Sequence, residues 1–182
     1  MSTTASTATT TAARVLPGRA APELDLPIAG GGRFRLSDSR PGLFTMVVFN
    51  RGLHCPICRA QLSELNRRIE ELAERGSEIV SVSGETAGRA ERIRTEWGID
   101  RVPLAYAFTE PQMRAWGLFV SHAIKDDELP VFNEPGLFLI RRDGTIYFES
   151  ILSMPVGRPG LDDLLGGIAF WTEHDYPARG GH

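Results

Sequence analysis

The chain holds two cysteines, Cys55 and Cys58, separated by Pro56 and Ile57. A disulfide between residues this close together closes too small a loop to stabilise a fold appreciably, so the pair has a chemical meaning. Thiol redox chemistry needs one thiolate to attack and a second thiol to resolve the product. A helix N-terminus supplies the setting, because its unpaired N–H groups and its dipole lower the pKa of a thiol placed there. Pro56 suits the first helical position, where its missing N–H would have no intrahelical partner, and it stiffens the Cys-x-x-Cys ring. Cys58 then lies one turn on, on the same face, within reach of an oxidised Cys55.

Other readings of the pair stand beside this one. A closed zinc site takes four ligands, and the remaining candidates are His54, His122, His174 and His182, each isolated in the sequence. Iron–sulfur clusters normally use four thiolates, and two inert buried thiols could fall at this spacing by chance. Redox use is expected, with no metal and no bound cofactor. Arg51 and His54 flank the site and would add positive character that lowers the Cys55 pKa further; solvated loop side chains are the other reading of both. The acidic run Asp126-Asp127-Glu128 reads as a solvated loop.

The elements that must position the cysteines follow from pattern. Leu43 to Phe49 is a continuous apolar run, as in a central strand covered on both faces, and it ends just before Cys55. From Pro56 to Arg75, Leu62, Leu65, Ile69 and Leu72 recur at helical spacing, supported by Glu64/Arg68 and Glu71/Arg75 and stopped by Gly76. Ile79 to Val82 gives a second strand, which completes a right-handed βαβ unit with parallel strands. Ala87, Ala90, Ile93 and Trp97 trace a helix, Leu104 to Phe108 a third strand and Pro111 to Trp116 a short helix. Gly30-Gly31-Gly32 turns into a short strand at Arg33. Strands at Gly136–Ile140 and Thr145–Phe148 flank an Asp143-Gly144 turn and predict an antiparallel hairpin. Leu161, Leu164, Leu165, Ile168 and Trp171 form a closing helix. The order predicts an α/β fold with a mixed sheet flanked by helices on both faces, and Cys55 at the carboxyl end of a central strand, where open α/β sheets place their sites.

Composition sets the class. At 182 residues, with 42% hydrophobic and 24% charged residues, the chain reads as one globular domain over 17–182 behind a disordered Ser/Thr/Ala-rich tail over 1–16. A net charge of -3 without a Lys/Arg stripe argues against nucleic acid as partner, and the longest apolar runs are far short of the ~20 residues that span a bilayer. The first residues lack the basic start and apolar run of a secretory signal. A cytoplasmic location is expected.

With these residues in view, the sequence resembles the AhpC/TSA branch of the peroxiredoxins, within the thioredoxin-like superfamily. The likeness is carried by Pro17-Gly18-Arg19-Ala20-Ala21-Pro22-Glu23-Leu24, by Phe49-Asn50-Arg51-Gly52-Leu53-His54-Cys55-Pro56, by Gly136-Leu137-Phe138-Leu139-Ile140 and by Met154-Pro155-Val156-Gly157-Arg158. It implies a thioredoxin-like, peroxiredoxin-type sheet and a peroxidatic role for Cys55. Two departures bear on activity. The family pattern Pro-x-x-x-Thr-x-x-Cys meets Val48 and Gly52 here, so the threonine hydroxyl that orients peroxide is absent. The family arginine just before the Gly-Leu-Phe strand is replaced by Pro135. Thioredoxins carry a proline, usually cis, facing their Cys-x-x-Cys motif, and Glu134-Pro135 is read either as such a bond or as an ordinary trans proline opening a strand.

The resulting expectation is a peroxiredoxin-like thiol oxidoreductase. Cys55 attacks a hydroperoxide or disulfide and Cys58 resolves it. Arg51 or Arg158 supplies the missing positive charge, and His54, Pro56, Glu134 and Pro135 shape the substrate groove. An external thiol system, such as thioredoxin or glutathione, restores the dithiol, and the resemblance allows a homodimer. A thioredoxin-like disulfide reductase without peroxidase activity and a non-catalytic binding or metal-sensing module are the competing expectations.

Overall fold

The computed structural model describes residues 15–181. The tail expected over 1–16 falls, as far as residue 14, outside the described residues, as does His182. In chain order the elements are β1 (Asp25–Pro27), β2 (Arg33–Arg35), β3 (Phe44–Phe49), α1 (Pro56–Arg67), α2 (Ile69–Glu74), β4 (Ser77–Val82), α3 (Ala87–Glu96), β5 (Leu104–Ala105), α4 (Glu110–Ala115), β6 (Val120–His122), β7 (Val131–Asn133), β8 (Gly136–Arg141), β9 (Ile146–Ile151) and α5 (Leu161–Glu173).

The apolar run of β3 is buried along its whole length and forms the middle of a five-stranded sheet in the order β5-β4-β3-β8-β9. β3 pairs parallel with β4 and antiparallel with β8, so the sheet is mixed. Alternate side chains of β3 serve two cores. Phe44, Met46 and Val48 meet Leu62 and Leu65 of α1, Ile93 of α3 and Leu161, Leu164, Leu165 and Ile168 of α5. Val47 and Phe49 face Met113 and Trp116, with Leu24 and Leu26 from the β1 side. Helices thus cover both faces, as the pattern predicts.

Helix starts are marked by their caps. Pro56 opens α1, Thr86 caps α3 by accepting the Arg89 N–H, and Thr109 with Gln112 forms a capping box on α4. Gly76, with φ +67°, turns the chain from α2 into β4, and its carbonyl accepts the Leu43 N–H at 2.7 Å.

Several expectations are corrected. The helix predicted from Pro56 to Arg75 is broken at Arg68, whose φ/ψ of −107°/19° is not helical. The break is held by tertiary bonds. The buried Asn66 amide oxygen accepts from Arg101 N and Val102 N, and the Arg68 guanidinium binds Glu71 and Asp162. Glu71 therefore pairs with Arg68, and Arg75 reaches only the Glu71 carbonyl. The third strand is confined to Leu104–Ala105, because Ala107 takes a left-handed φ of 62° to donate its N–H to the Glu85 carbonyl. Two small hairpins, β1–β2 and β6–β7, lie outside the main sheet, and β6–β7 is absent from the sequence reading.

The pairing register concentrates three chain segments at one end of β3. Phe49 faces Val82 on one side and Gly136 on the other. The Asn50–Cys55 turn, the segment leaving β4 at Ser83 and the Glu134-Pro135 step into β8 therefore converge, and Cys55 sits among them at the head of α1.

Candidate active site

Asn50, buried where β3 ends, fixes the turn into Cys55. Its amide donates to Ser81 Oγ at 2.8 Å, its Oδ1 accepts the Gly52 N–H at 2.9 Å, and its carbonyl accepts the Asn133 amide at 3.1 Å. The Gly52 carbonyl takes the Cys55 N–H at 3.1 Å, and the Cys55 carbonyl takes the Arg59 N–H at 3.1 Å as the first helical bond. Cys55 is thus the N-cap of α1, and its sulfur accepts the Cys58 N–H at 3.3 Å.

The two free thiols are almost fully buried, at 1% and 0% exposure, and their environments push them apart. The side-chain hydrogen bond from Cys58, aided by the Cys58 N–H and by the charges of Arg158 and Arg51, lowers the Cys55 pKa to about 6 against the opposing effect of burial. Burial and the interaction with Cys55 push the Cys58 thiol well above its usual value, although Arg158 opposes this. A pair with one thiolate and one retained thiol has the division of labour that attack followed by resolution requires.

The structure brings both predicted arginines to the pair. Arg158, from the segment before α5, places Nη2 3.1 Å from the Cys58 sulfur and is braced by Gln61 and the Pro155 carbonyl. Arg51 approaches from the other side. Its N–H donates to the Cys58 sulfur at 3.4 Å, while its guanidinium lies 3.2 Å from Glu134, 3.9 Å from Glu128 and 5.0 Å over the Phe132 ring.

Neither Arg51 nor His54 is a solvated side chain, with side-chain exposures of 18% and 4%. His54 packs edge-on against Phe132, and burial lowers its pKa, so the ring is neutral. The solvated reading of the acidic run fits the exposed Asp126 and Asp127 but is corrected at Glu128. Its side chain is 5% exposed, one oxygen faces Arg51 and His54 at 3.9 Å each, and the other accepts Ile124 N and Lys125 N. The reason is the β6–β7 hairpin, which folds this loop back over the Arg51 side of the site.

Of the expected groove residues, Pro56 is exposed at the first position of α1. Glu134 is buried, bonded to Ser121 and paired with Arg51. Pro135 is also buried and follows a trans peptide bond, which decides between the two readings of that proline. It lines a small cleft with Gln61 and Arg158. Sequence reasoning missed Asn50, Glu85, Glu128 and Phe132. The Glu85/Arg89 spacing, four residues on a helix start, was the one local signal for any of them.

Among the described residues, no cluster of three His, Cys, Asp or Glu side chains could hold a metal ion, and no helix is long and apolar enough to cross a membrane.

Comparison with known proteins gives a consistent picture of the frame. The AhpC/TSA family profile matches residues 17–149. The structure is similar to peroxidoxin BcpB from Mycobacterium tuberculosis, at 16% identity and a TM-score of 0.68, covering 88% of this chain and 99% of that one. It is similar to reduced 2-Cys peroxiredoxin from Plasmodium vivax, at 16% identity and a TM-score of 0.70, covering 87% and 83%. AhpC from Mycobacterium tuberculosis gives 16% identity and a TM-score of 0.69, covering 87% and 93%. At these identities the likeness is one of fold. No curated protein matches the sequence.

Proposed function

This chain belongs to the AhpC/TSA family of thiol-dependent oxidoreductases, and on that premise we propose that it reduces small hydroperoxides through the Cys55/Cys58 pair. The observation that carries the reading is the split between the two thiols, with Cys55 lowered to about 6 by donors from Cys58 while Cys58 is held protonated by burial.

In the proposed cycle the Cys55 thiolate attacks one peroxide oxygen. The S–O bond forms as the O–O bond breaks, and the leaving oxygen departs with a proton as alcohol or water. Cys58, deprotonated with help from Arg158, then attacks the Cys55 sulfenic acid; the S–S bond forms and water leaves. An external reductant, one thioredoxin-type dithiol or two glutathione thiols, returns two electrons by thiol–disulfide exchange and is itself oxidised to a disulfide. A reducing compartment such as the cytoplasm and assembly as a homodimer complete the proposal.

The 1% exposure of Cys55 in the reduced pair supports a small substrate for the attack step, whereas the external reductant acts on the oxidised pair. Gly52, which offers no hydroxyl to a peroxide, favours the second reading, a disulfide reductase. Adding equimolar hydrogen peroxide or a small disulfide to reduced protein, and following loss of free thiols, separates them. Faster loss with peroxide supports the first reading, and loss with the disulfide alone replaces it with the second.

A further inference from the structure

Gly52 has a φ of +110°, and a Cβ added there would stand 2.2 Å from Oε1 of Glu85 and 2.9 Å from its Cδ. No side chain fits at position 52 while Glu85 keeps its place, and Glu85 is tightly held. The carboxylate is fully buried. Oε1 accepts the Leu53 N–H at 2.7 Å and Oε2 accepts Arg89 Nε at 2.6 Å. Arg89 in turn donates to the Asp127 carbonyl at 2.9 Å, which ties the turn before Cys55 to α3 and to the acidic loop.

We infer that Glu85 is a positioning residue for the attacking thiol, fixing the Gly52-Leu53 turn that sets Cys55 at the head of α1 and filling the space a side chain at position 52 would need. The inference rests on the reading of Cys55 as the attacking thiol. Both Glu85 oxygens are already engaged, one by the Leu53 N–H and the other by Arg89, so it acts through the turn. Without its bond to Leu53 the turn relaxes, and the Cys55 sulfur moves out of alignment with the donors on Cys58. A Cβ at position 52 has the same effect, because the turn or the carboxylate must move. The missing threonine is therefore part of a matched pair with Glu85, and peroxide orientation in this site falls to main-chain N–H groups and arginines.

The test is the pH profile of Cys55 alkylation by iodoacetamide, read by mass spectrometry, with circular dichroism as a check of folding. It is run on the parent, Glu85→Gln, Glu85→Ala, Gly52→Ala and the double variant Gly52→Ala/Glu85→Ala. Glu85→Gln keeps an oxygen for the Leu53 N–H and should keep the parental midpoint. Glu85→Ala should raise the midpoint by about one pH unit, a roughly tenfold loss of reactivity below it. Gly52→Ala should raise it too, and by less when Glu85 is already alanine, since the two changes act on the same close approach. A folded Glu85→Ala protein with the parental midpoint, a raised midpoint in Glu85→Gln, or a Gly52→Ala effect of equal size in both backgrounds overturns the inference. If Glu85→Ala does not fold, Glu85→Gln and Gly52→Ala decide: a parental midpoint in the first with a raised one in the second supports it, and a parental midpoint in Gly52→Ala overturns it. Alkylation needs no substrate, so these outcomes stand apart from the role of Cys55 in turnover, which Cys55→Ser tests by itself.

Discussion

Arg158 sets its guanidinium 3.1 Å from the sulfur of Cys58, the more deeply buried of the two thiols, while the N–H of Cys58 points to Cys55. The charge that favours ionisation is thus in contact with the thiol whose ionisation burial opposes. Such a placement matters most in the second chemical step, when Cys58 must give up its proton to attack.

Arg158→Ala is therefore expected to slow resolution more than attack. Without the guanidinium beside it, the Cys58 thiolate becomes scarcer by about tenfold, the equivalent of one pKa unit. Sulfenic acid on Cys55 should accumulate after peroxide, visible by trapping with dimedone. Equal slowing of both steps would place the arginine's influence on Cys55 instead.

The pH dependence of attack follows from the thiolate of Cys55. Its pKa is lowered to about 6, so lowering pH protonates and silences it, and raising pH through 6 activates it. The rate should climb roughly tenfold from pH 5 to pH 7 and then level off, whereas a free cysteine, half ionised only at ~8.5, would still be gaining thiolate there. Iodoacetamide alkylation at fixed ionic strength measures this, and a rate still rising beyond pH 8 would remove Cys55 as the attacking group.

Substitutions at Cys58 separate its two duties. Cys55→Ser should abolish turnover. Cys58→Ser keeps a hydroxyl donor beside the Cys55 sulfur and should allow one fast reaction that ends in sulfenic acid or a mixed disulfide. Cys58→Ala removes the donor that contributes most to the low Cys55 pKa, so its alkylation midpoint should lie above that of Cys58→Ser. Coincident midpoints would mean that the main-chain N–H and the arginine charges lower the pKa without the side-chain donor.

The frame and the cysteine pair were legible because their signals are local. The unbroken apolar run of β3, the helical spacing of Leu62, Leu65, Ile69 and Leu72, and the Asp143-Gly144 turn each specify an element from neighbouring residues. The break at Arg68 leaves that apolar spacing undisturbed and depends on Asn66 reaching Arg101 and Val102, so no local pattern shows it. The β6–β7 hairpin has strands of three residues, too short for a readable alternation. Without the hairpin Glu128 reads as solvated, since only the folded-back loop brings it to Arg51 and His54. Gly52 stands out in the sequence as a departure from the family, but the side chain that a Cβ there would meet, Glu85, lies on the neighbouring strand's exit.

The Glu85–Arg89 pair also bears on stability. Glu85 has no exposure, whereas Arg89 keeps 25% of its side chain in solvent. Arg89→Ala leaves a buried carboxylate with only main-chain N–H support, and removing one partner of a buried pair costs about 3–5 kcal/mol. The partly exposed arginine puts the expected loss near the lower end, at roughly 3 kcal/mol. Urea denaturation should show the midpoint falling with an unchanged slope. A loss under about 1 kcal/mol would place this pair with ordinary surface ion pairs.

Arg51 provides the last prediction, because its surroundings limit what it can do for a peroxide. The guanidinium is held by Glu134 at 3.2 Å, faces Glu128 at 3.9 Å and lies over Phe132, so two carboxylates already answer its charge. A donor that meets the transition state directly is worth about a hundredfold to a thousandfold in rate. A guanidinium acting on Cys55 only through its field is worth about tenfold, the scale of one pKa unit. Acting through the Cys55 thiolate alone, Arg51→Ala should therefore slow attack by about tenfold below pH 6 and by about twofold at pH 7, with peroxide and disulfide alike. Stopped-flow measurement with both substrates, on the parent, Arg51→Ala and Arg158→Ala, checks this. A hundredfold loss confined to peroxide would show that Arg51 leaves its carboxylates to meet the substrate. If both arginine variants match the parent with peroxide, neither guanidinium stabilises the breaking O–O bond, and disulfide reduction becomes the better account of what Cys55 does.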